Sequence, residues 1–328
     1  MARVWVVIQH RDGKVHRMSR EAIAAGQSLA SALGGTVEAV VMGSGIDSVA
    51  EELCGYELAS VFVADAEPLA DYTPGGYAGV LRAAVSEHAP THLVFAHSYQ
   101  NIEYMARLAL DVGGSLLPEV VAFAPGEDGD IVWERPVMGG KLQSKVRLTG
   151  PSPALVSVQS GAYSASAAER GTASRADLDA GKAAVDREIL GVEEVAGEQV
   201  DLSAAEIVVA AGRGVGGEDK MGVIEDLAAA LGAEIGASRP VIDSGWLPRD
   251  RQIGSSGQTV APKLYVAAGV SGAIQHLVGM KGAGTTVAIN KDGGAPIFSV
   301  ADYGIVGDLH EVLPVLAQAI REAKEDAN

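Results

Sequence analysis

The chain has 328 residues, of which 48% are hydrophobic and 41 are glycine, enough for two α/β domains of ordinary size that fold without covalent staples. Its 42 acidic residues against 25 basic ones give a formal charge of −17, which disfavours nucleic acid and anionic lipid as partners. A single cysteine, Cys54, excludes an internal disulfide and a thiolate metal cluster. The start MARVWVVIQHRDG has no signal-peptide core, and no apolar run approaches the roughly 20 residues that span a bilayer. A cytoplasmic protein without membrane insertion is the expectation.

Strand-like runs at 4–8, 37–41, 61–64 and 92–96 alternate with helical runs at 20–33, 46–53, 75–87 and 102–111, the rhythm of a parallel sheet covered by helices. Ser19 is the expected N-cap of the first helix and Gly34-Gly35 its stop. Between 120 and 159 the runs shorten, at 131–134, 145–148 and 154–158, and predict antiparallel strands that end the sheet. Residues 164–199 are polar and alanine-rich and read as a connection. A second α/β unit follows, with a strand at 206–211, a glycine-rich turn at 212–217, a helix at 220–231 and a strand at 264–268. A turn and short helix, a strand ending at Asn290, a last strand at 296–300 and a closing helix at 309–323 complete it. The fold class is α/β, two doubly wound (Rossmann or flavodoxin-like) parallel-sheet domains at 1–195 and 204–328, joined near 190–204.

The second unit carries the chemistry. Gly212, Gly214 and Gly217 satisfy GxGxxG between a strand and a helix, a context suited to pyrophosphate, and Arg213 adds a bidentate cation. The acidic residue that a dinucleotide site needs about 20 positions later has only Glu234 as candidate, and Glu234 falls where a strand starts. A nicotinamide-dependent dehydrogenase therefore lacks one part of its fingerprint. Gly269, Ser271 and Gly272 form a tight turn into a helix whose free amides and positive dipole end favour an anion or a developing negative charge. Gln275 and His276 then fall in the first turns. Gly269 to Ala273 approaches the GxSxG elbow of hydrolases, but Ala273 replaces its last glycine and His276 follows Ser271 by only five residues. Ser238-Arg239 and the loop 252–257 lie where a parallel sheet presents ligand-binding loops. His88 and His92 flank Pro90, which disfavours a helix that would aim both at a zinc ion, and His10, His16, His97 and His310 lack partners at ligand spacing.

LYVAAGVSGAIQH at 264–276, followed by Gly279 and by VAIN ending at Asn290, resembles the signature of the electron transfer flavoprotein α subunit. GRG at 212–214, GASRP at 236–240, QIGSSG at 252–257, APKLY at 261–265 and NKDGGAPIFSVADYGIVGDL at 290–309 occur in that family's order. Ser256 stands where many members have threonine, and Thr286 where isoleucine or valine is usual. The match is strong over the last 125 or so residues; the first 190 agree in general layout. It implies an electron carrier rather than an enzyme with its own turnover, with FAD as cofactor and a β subunit as partner in a heterodimer whose interface lies on the first domain. Flavin dehydrogenases, such as the acyl-CoA dehydrogenases of fatty acid β-oxidation, would donate electrons, and a membrane electron transfer flavoprotein:quinone oxidoreductase would accept them. An electron-bifurcating relative, fed by NADH through the β subunit, is the alternative. FAD contacts carried over by motif come from Arg213, Ser238, Arg239, Ile253, Gly254, Ser255, Ser256, Ser271, Gly272, Ala273, Ile274, Gln275, His276, Asn290, Asp308 and Leu309. His276 would donate near flavin N1 and the C2 carbonyl, Ser256 would bond near N5, and Arg239 would add positive charge beside the ring.

Overall fold

Valine-rich strands buried on both faces set the architecture of both halves, as parallel sheets require. The computed structural model describes every residue except 12, 127–128, 139–141, 182–186, 188, 192–199 and 327–328. The chain divides into two compact units, Met1–Glu193 and Glu194–Asn328; the joint expected near 190–204 lies largely outside the described residues.

In the first unit seven strands lie in the order Ser174–Asp177, Ser60–Asp65, Thr36–Gly43, Arg3–Ile8, His92–Ala96, Ala154–Val158, Ser115–Val120. Every neighbouring pair is parallel. Helices Arg17–Ala32 and Asp47–Cys54 pack on one face and Pro74–His88 and Tyr99–Asp111 on the other, giving two separate apolar layers. The first helix begins three residues before the expected start. His16 caps it, its ring nitrogen accepting from the Met18 amide at 3.2 Å. Ser19 is drawn into the core instead, where its hydroxyl exchanges hydrogen bonds with the Gln9 backbone at 2.8 and 3.0 Å. Gly34, at φ 60°, ends the helix as expected.

Two expectations for this unit fail. The sheet does not end in antiparallel strands: 154–158 enters it parallel, between 92–96 and 115–120. The antiparallel strands Ala122–Pro125, Ile131–Val137 and Leu142–Arg147 form their own small sheet, which turns Ile131 and Trp133 into the core and leaves its charged alternate residues outward. The polar segment 164–199 is not only a connection, because Ser174–Asp177 pairs with Ser60–Asp65 as the far edge. Its shortness and charge suit an edge that must not recruit further strands.

The second unit is a five-stranded parallel sheet in the order Glu234–Ala237, Ile207–Ala211, Leu264–Ala268, Thr285–Asn290, Tyr303–Val306. In chain order this is 2-1-3-4-5, the flavodoxin-like doubly wound arrangement. Helices Gly222–Leu231 and Leu309–Asp326 cover one face around Ile224, Leu227 and Leu313. The first of them starts two residues later than expected, after 3-10 turns at Arg213–Val215 and Glu218–Lys220. The expected last strand at 296–300 is instead the 3-10 turn Pro296–Ser299, and the strand follows at 303–306. Pro296 cannot donate to a ladder, and Asp302 opens the edge strand instead, bonding the Thr286 backbone through its own amide at 2.9 Å and through its carboxylate at 2.8 Å.

A buried carboxylate ties the first two strands of the first unit together. Glu38 is 7% exposed and accepts from the fully buried Trp5 indole at 2.7 Å and from Arg3 at 2.6 and 3.0 Å. Glu38→Ala should destabilise this unit by about 3 kcal/mol, because the indole N–H loses its acceptor inside the core and Arg3 its counter-ion. Glu38→Gln, which keeps one acceptor oxygen, should cost about 1 kcal/mol. Urea unfolding followed by tryptophan fluorescence tests this, and equal losses for the two variants would contradict it.

Candidate functional site

The residues singled out by sequence gather at one end of the second unit, beyond the carboxyl ends of its strands. Arg213 follows Ile207–Ala211, Ser238 and Arg239 follow Glu234–Ala237, and Ser271 to His276 follow Leu264–Ala268. Asn290 ends its strand, and Asp308 and Leu309 follow Tyr303–Val306. From the first strand the chain runs to one neighbour, then returns to the other, so the loops at 212 and 269 flank the switch point where parallel sheets hold ligands.

Those two loops touch backbone to backbone. The Gly212 amide donates to the Ala268 carbonyl at 2.8 Å and the Gly214 amide to the Gly269 carbonyl at 3.0 Å. A side-chain carbon on Gly212 would overlap the Gly269 carbonyl, and one on Gly214 would come within 2.8 Å of the Gly269 Cα. The first two glycines of the GxGxxG thus serve loop packing, and Glu234 opens its strand rather than ending one, so the dinucleotide fingerprint is not completed here. Arg213 is exposed and has no acidic partner among the described residues.

The third loop is shaped by Gly269 and Gly272, at φ 65° and 82°, a conformation that other residues resist. Ile297 bonds the Ser271 carbonyl at 3.1 Å, and Asn290 reaches back to the Val270 carbonyl at 2.9 Å while its own carbonyl accepts from Asp292. Among the described residues, the amides of Ser271, Gly272, Ala273, Ile274 and Gln275 donate to no protein group. The helix that follows, Ile274–Val278, is a single short turn.

Ile253 to Ser256 closes the other side of the site. The Ile253 amide continues the Ala237 strand at 2.9 Å, and the Ser255 amide donates to the Gln275 carbonyl at 2.7 Å. Gln252, the buried first residue of the loop singled out at 252–257 though given no role of its own, donates from its side-chain amide to the Ser256 hydroxyl at 2.9 Å. Ser238 is buried at the start of the short helix Arg239–Asp243, and its hydroxyl makes no cap hydrogen bond and has no partner among the described residues. Arg239 is exposed and pairs with Asp243 at 3.3 Å. Asp308 caps the last helix through the His310 amide and pairs with Lys291 at 2.9 Å, which together hold its carboxyl below the usual range. Leu309 is core, beneath Gly269.

His276 is the most constrained group. It is 6% exposed, its Nε2 lies 2.7 Å from the hydroxyl of the fully buried Tyr265, and its Nδ1 is buried with no hydrogen-bond partner among the described residues. Burial pushes its pKa down to about 4, only partly opposed by the Ile253 backbone, so the ring is neutral at pH 7. Sequence reasoning missed Tyr265, although a phenol in a central strand has to find a polar partner. An orphaned buried nitrogen, a run of unspent amides, an unpartnered serine hydroxyl and an unpaired arginine together fit a ligand with an anionic section and an acceptor-rich section, as FAD is.

Comparisons with known proteins agree. Residues 4–186 match the electron transfer flavoprotein domain and residues 201–281 the electron transfer flavoprotein FAD-binding domain. An electron transfer flavoprotein subunit alpha from Thermoanaerobacterium thermosaccharolyticum is 35% identical over 324 residues, covering 98% of both chains. Another from Mycobacterium leprae is 36% identical over 327 residues, covering 99% of this chain and 100% of the relative. The acryloyl-CoA reductase electron transfer subunit beta of Anaerotignum propionicum is 33% identical over 352 residues, covering 98% of this chain and 96% of the relative. The chain belongs to the electron transfer flavoprotein α-subunit family, whose cofactor is FAD, and its second unit contains the match to the family's FAD-binding domain.

Proposed function

We propose that this chain pairs with a β subunit in the cytoplasm, takes electrons from flavin dehydrogenases such as acyl-CoA dehydrogenases, and passes them to a membrane electron transfer flavoprotein:quinone oxidoreductase. The observation that carries the reading is the convergence of the unpartnered His276 Nδ1 with the unspent amides of 271–275 at the switch point of the sheet. When bound, FAD supplies the reversible uptake and release of electrons.

The chain's own part is to hold and tune. Arg213 and the 271–275 amides would take the anionic section, one through a mobile charge and the others through fixed dipoles. Asn290 keeps the third loop in place by holding Val270. His276 would donate to an acceptor on the ring, Ser256 and Ser238 would offer hydroxyls, and Arg239 would lend positive charge where electron density rises on reduction. Asp308 and the Leu309 backbone would meet the ligand from the start of the last helix, which Asp308 caps. With its pKa pushed down to about 4 by burial, His276 is a weak base better suited to donating a hydrogen bond than to abstracting a proton, in keeping with a carrier that breaks no substrate bond.

Co-expression with the β subunit should yield a yellow complex with one FAD in this chain, reducible by an acyl-CoA dehydrogenase and its substrate. Direct bleaching by NADH would replace this reading with the bifurcating one, and a colourless protein that FAD cannot restore would end both. Gly212→Ala should weaken FAD binding at least about tenfold, or about 1.4 kcal/mol, because the new carbon pushes apart two loops of the site. Titration of FAD into flavin-depleted complex measures it, and unchanged affinity would contradict the loop-contact argument.

The same burial makes stability depend on pH. Since the His276 pKa falls to about 4 on folding from 6.5, its contribution is complete above pH 6.5 and is lost as pH falls toward 4. Between pH 7.5 and pH 5 this one residue should remove about 2 kcal/mol from the flavin-free chain. His276→Phe should lose correspondingly less over the same interval in urea unfolding; parallel losses in both proteins would show that the ring is not buried neutral.

A further inference from the structure

Resting on the flavin-binding reading, the geometry points to Tyr265 as a positioning residue that fixes the tautomer of His276, leaving the imidazole proton on Nδ1 as a donor reserved for the ligand. The Tyr265 hydroxyl is fully buried, and its one hydrogen-bond partner among the described residues is His276 Nε2, at 2.7 Å. Two arrangements satisfy that distance. If Nε2 carried the proton and donated to the phenol, the phenol's own hydrogen would be left in the core without an acceptor, a loss of roughly 1–3 kcal/mol, and Nδ1 would be a bare lone pair. If the phenol donates to Nε2, both members of the pair are satisfied, and the ring proton must sit on Nδ1 because the imidazole is neutral.

Burial favours the second arrangement from both sides. It holds the phenol well above its usual range, so Tyr265 keeps its proton, and it holds the ring neutral. The Nδ1–H that results is enclosed and, among the described residues, meets no acceptor at hydrogen-bonding geometry; the nearby Ile253 backbone opposes only part of the effect of burial on the ring. A donor desolvated in this way is costly until an acceptor arrives, so it selects a ligand that presents a carbonyl oxygen or an unprotonated ring nitrogen and rejects one that presents a second donor. A donor on Nε2 also polarises the ring and makes Nδ1–H a stronger hydrogen-bond donor on the far side. Tyr265 therefore acts on the flavin through His276, from the strand beneath the loop.

Long-range proton–nitrogen spectra of the full-length chain with its β subunit, ¹⁵N-labelled at histidine and recorded with and without FAD, test the assignment, with His276→Asn identifying the resonances. The expected result is one neutral tautomer protonated at Nδ1 in both states. Tyr265→Phe should give a mixture of tautomers in the flavin-free complex. In the loaded complex it should lower the flavin reduction potential by less than His276→Asn does, and produce no further shift in the His276→Asn background. Protonation at Nε2 in the unmutated protein would overturn the inference even if Tyr265→Phe did not fold. So would a Tyr265→Phe protein with unchanged tautomer and potential. An unmutated protein that takes up no FAD would instead count against the functional reading, while the flavin-free spectra would still decide the tautomer.

Discussion

The close approach of two backbone loops at the switch point of the second sheet is the constraint from which the site follows. Parallel strands spend their own amides and carbonyls on the ladder, and here the ladder runs on past the strand ends: Gly212 bonds Ala268, Gly214 bonds Gly269, and Gly269 bonds Ile289. Three successive loops are thereby fixed to one another without a side chain between them. Just beyond Gly269, which is held on both sides, the amides of 271–275 meet no protein acceptor among the described residues, and Gly272 bends the segment toward Ile297. The donor array is a by-product of packing that only glycine permits at these positions.

Burial does for His276 what the loop contact does for the amides. The ring sits on the first turn of a helix too short to have a dipole of consequence, so the dipole expected from sequence is replaced by a different source of polarity. That source is the strand below, where Tyr265 occupies a core position and still presents a hydroxyl to Nε2. A fixed, neutral donor in a water-poor place interacts with developing negative charge more strongly than a mobile charged one at the surface, and needs no reorganisation when the charge appears.

How much of this could be read in advance follows physical lines. The long apolar runs, such as 3–8, 92–96 and 264–268, announce buried strands because nothing else places so many branched side chains together. The glycine-rich turns between strand and helix locate the site, since parallel sheets bind at those ends. What escaped was non-local. Nothing near Ser174–Asp177 marks it as a strand, for its pairing lies with residues 60–65, more than a hundred positions away. The 296–299 segment has strand-like residues, yet its path is set by Gly272 and Ser271. Tyr265 is a polar group whose meaning lies in His276, a partner beyond its strand that the strand pattern does not reveal, while GxGxxG spacing is a local pattern whose meaning the partner loop changes.

The balance of charges then separates rigid parts of the site from adjustable ones. On a chain of net charge −17, an anionic ligand cannot rely on the general field of the protein, which opposes it. Arg239 and Lys291 are exposed and already paired with Asp243 and Asp308, and such surface pairs hold each other by about 0–1 kcal/mol, so either cation can turn toward a ligand at little cost. Arg213, also exposed, has no acidic partner among the described residues. The amides and His276 cannot move without breaking the loop contacts or the core. On the proposed reading, uncharged donors with fixed directions would dictate position and the arginines would supply compensating charge after the fit is made, so that a strongly acidic chain could hold an anionic cofactor without a permanent basic pocket.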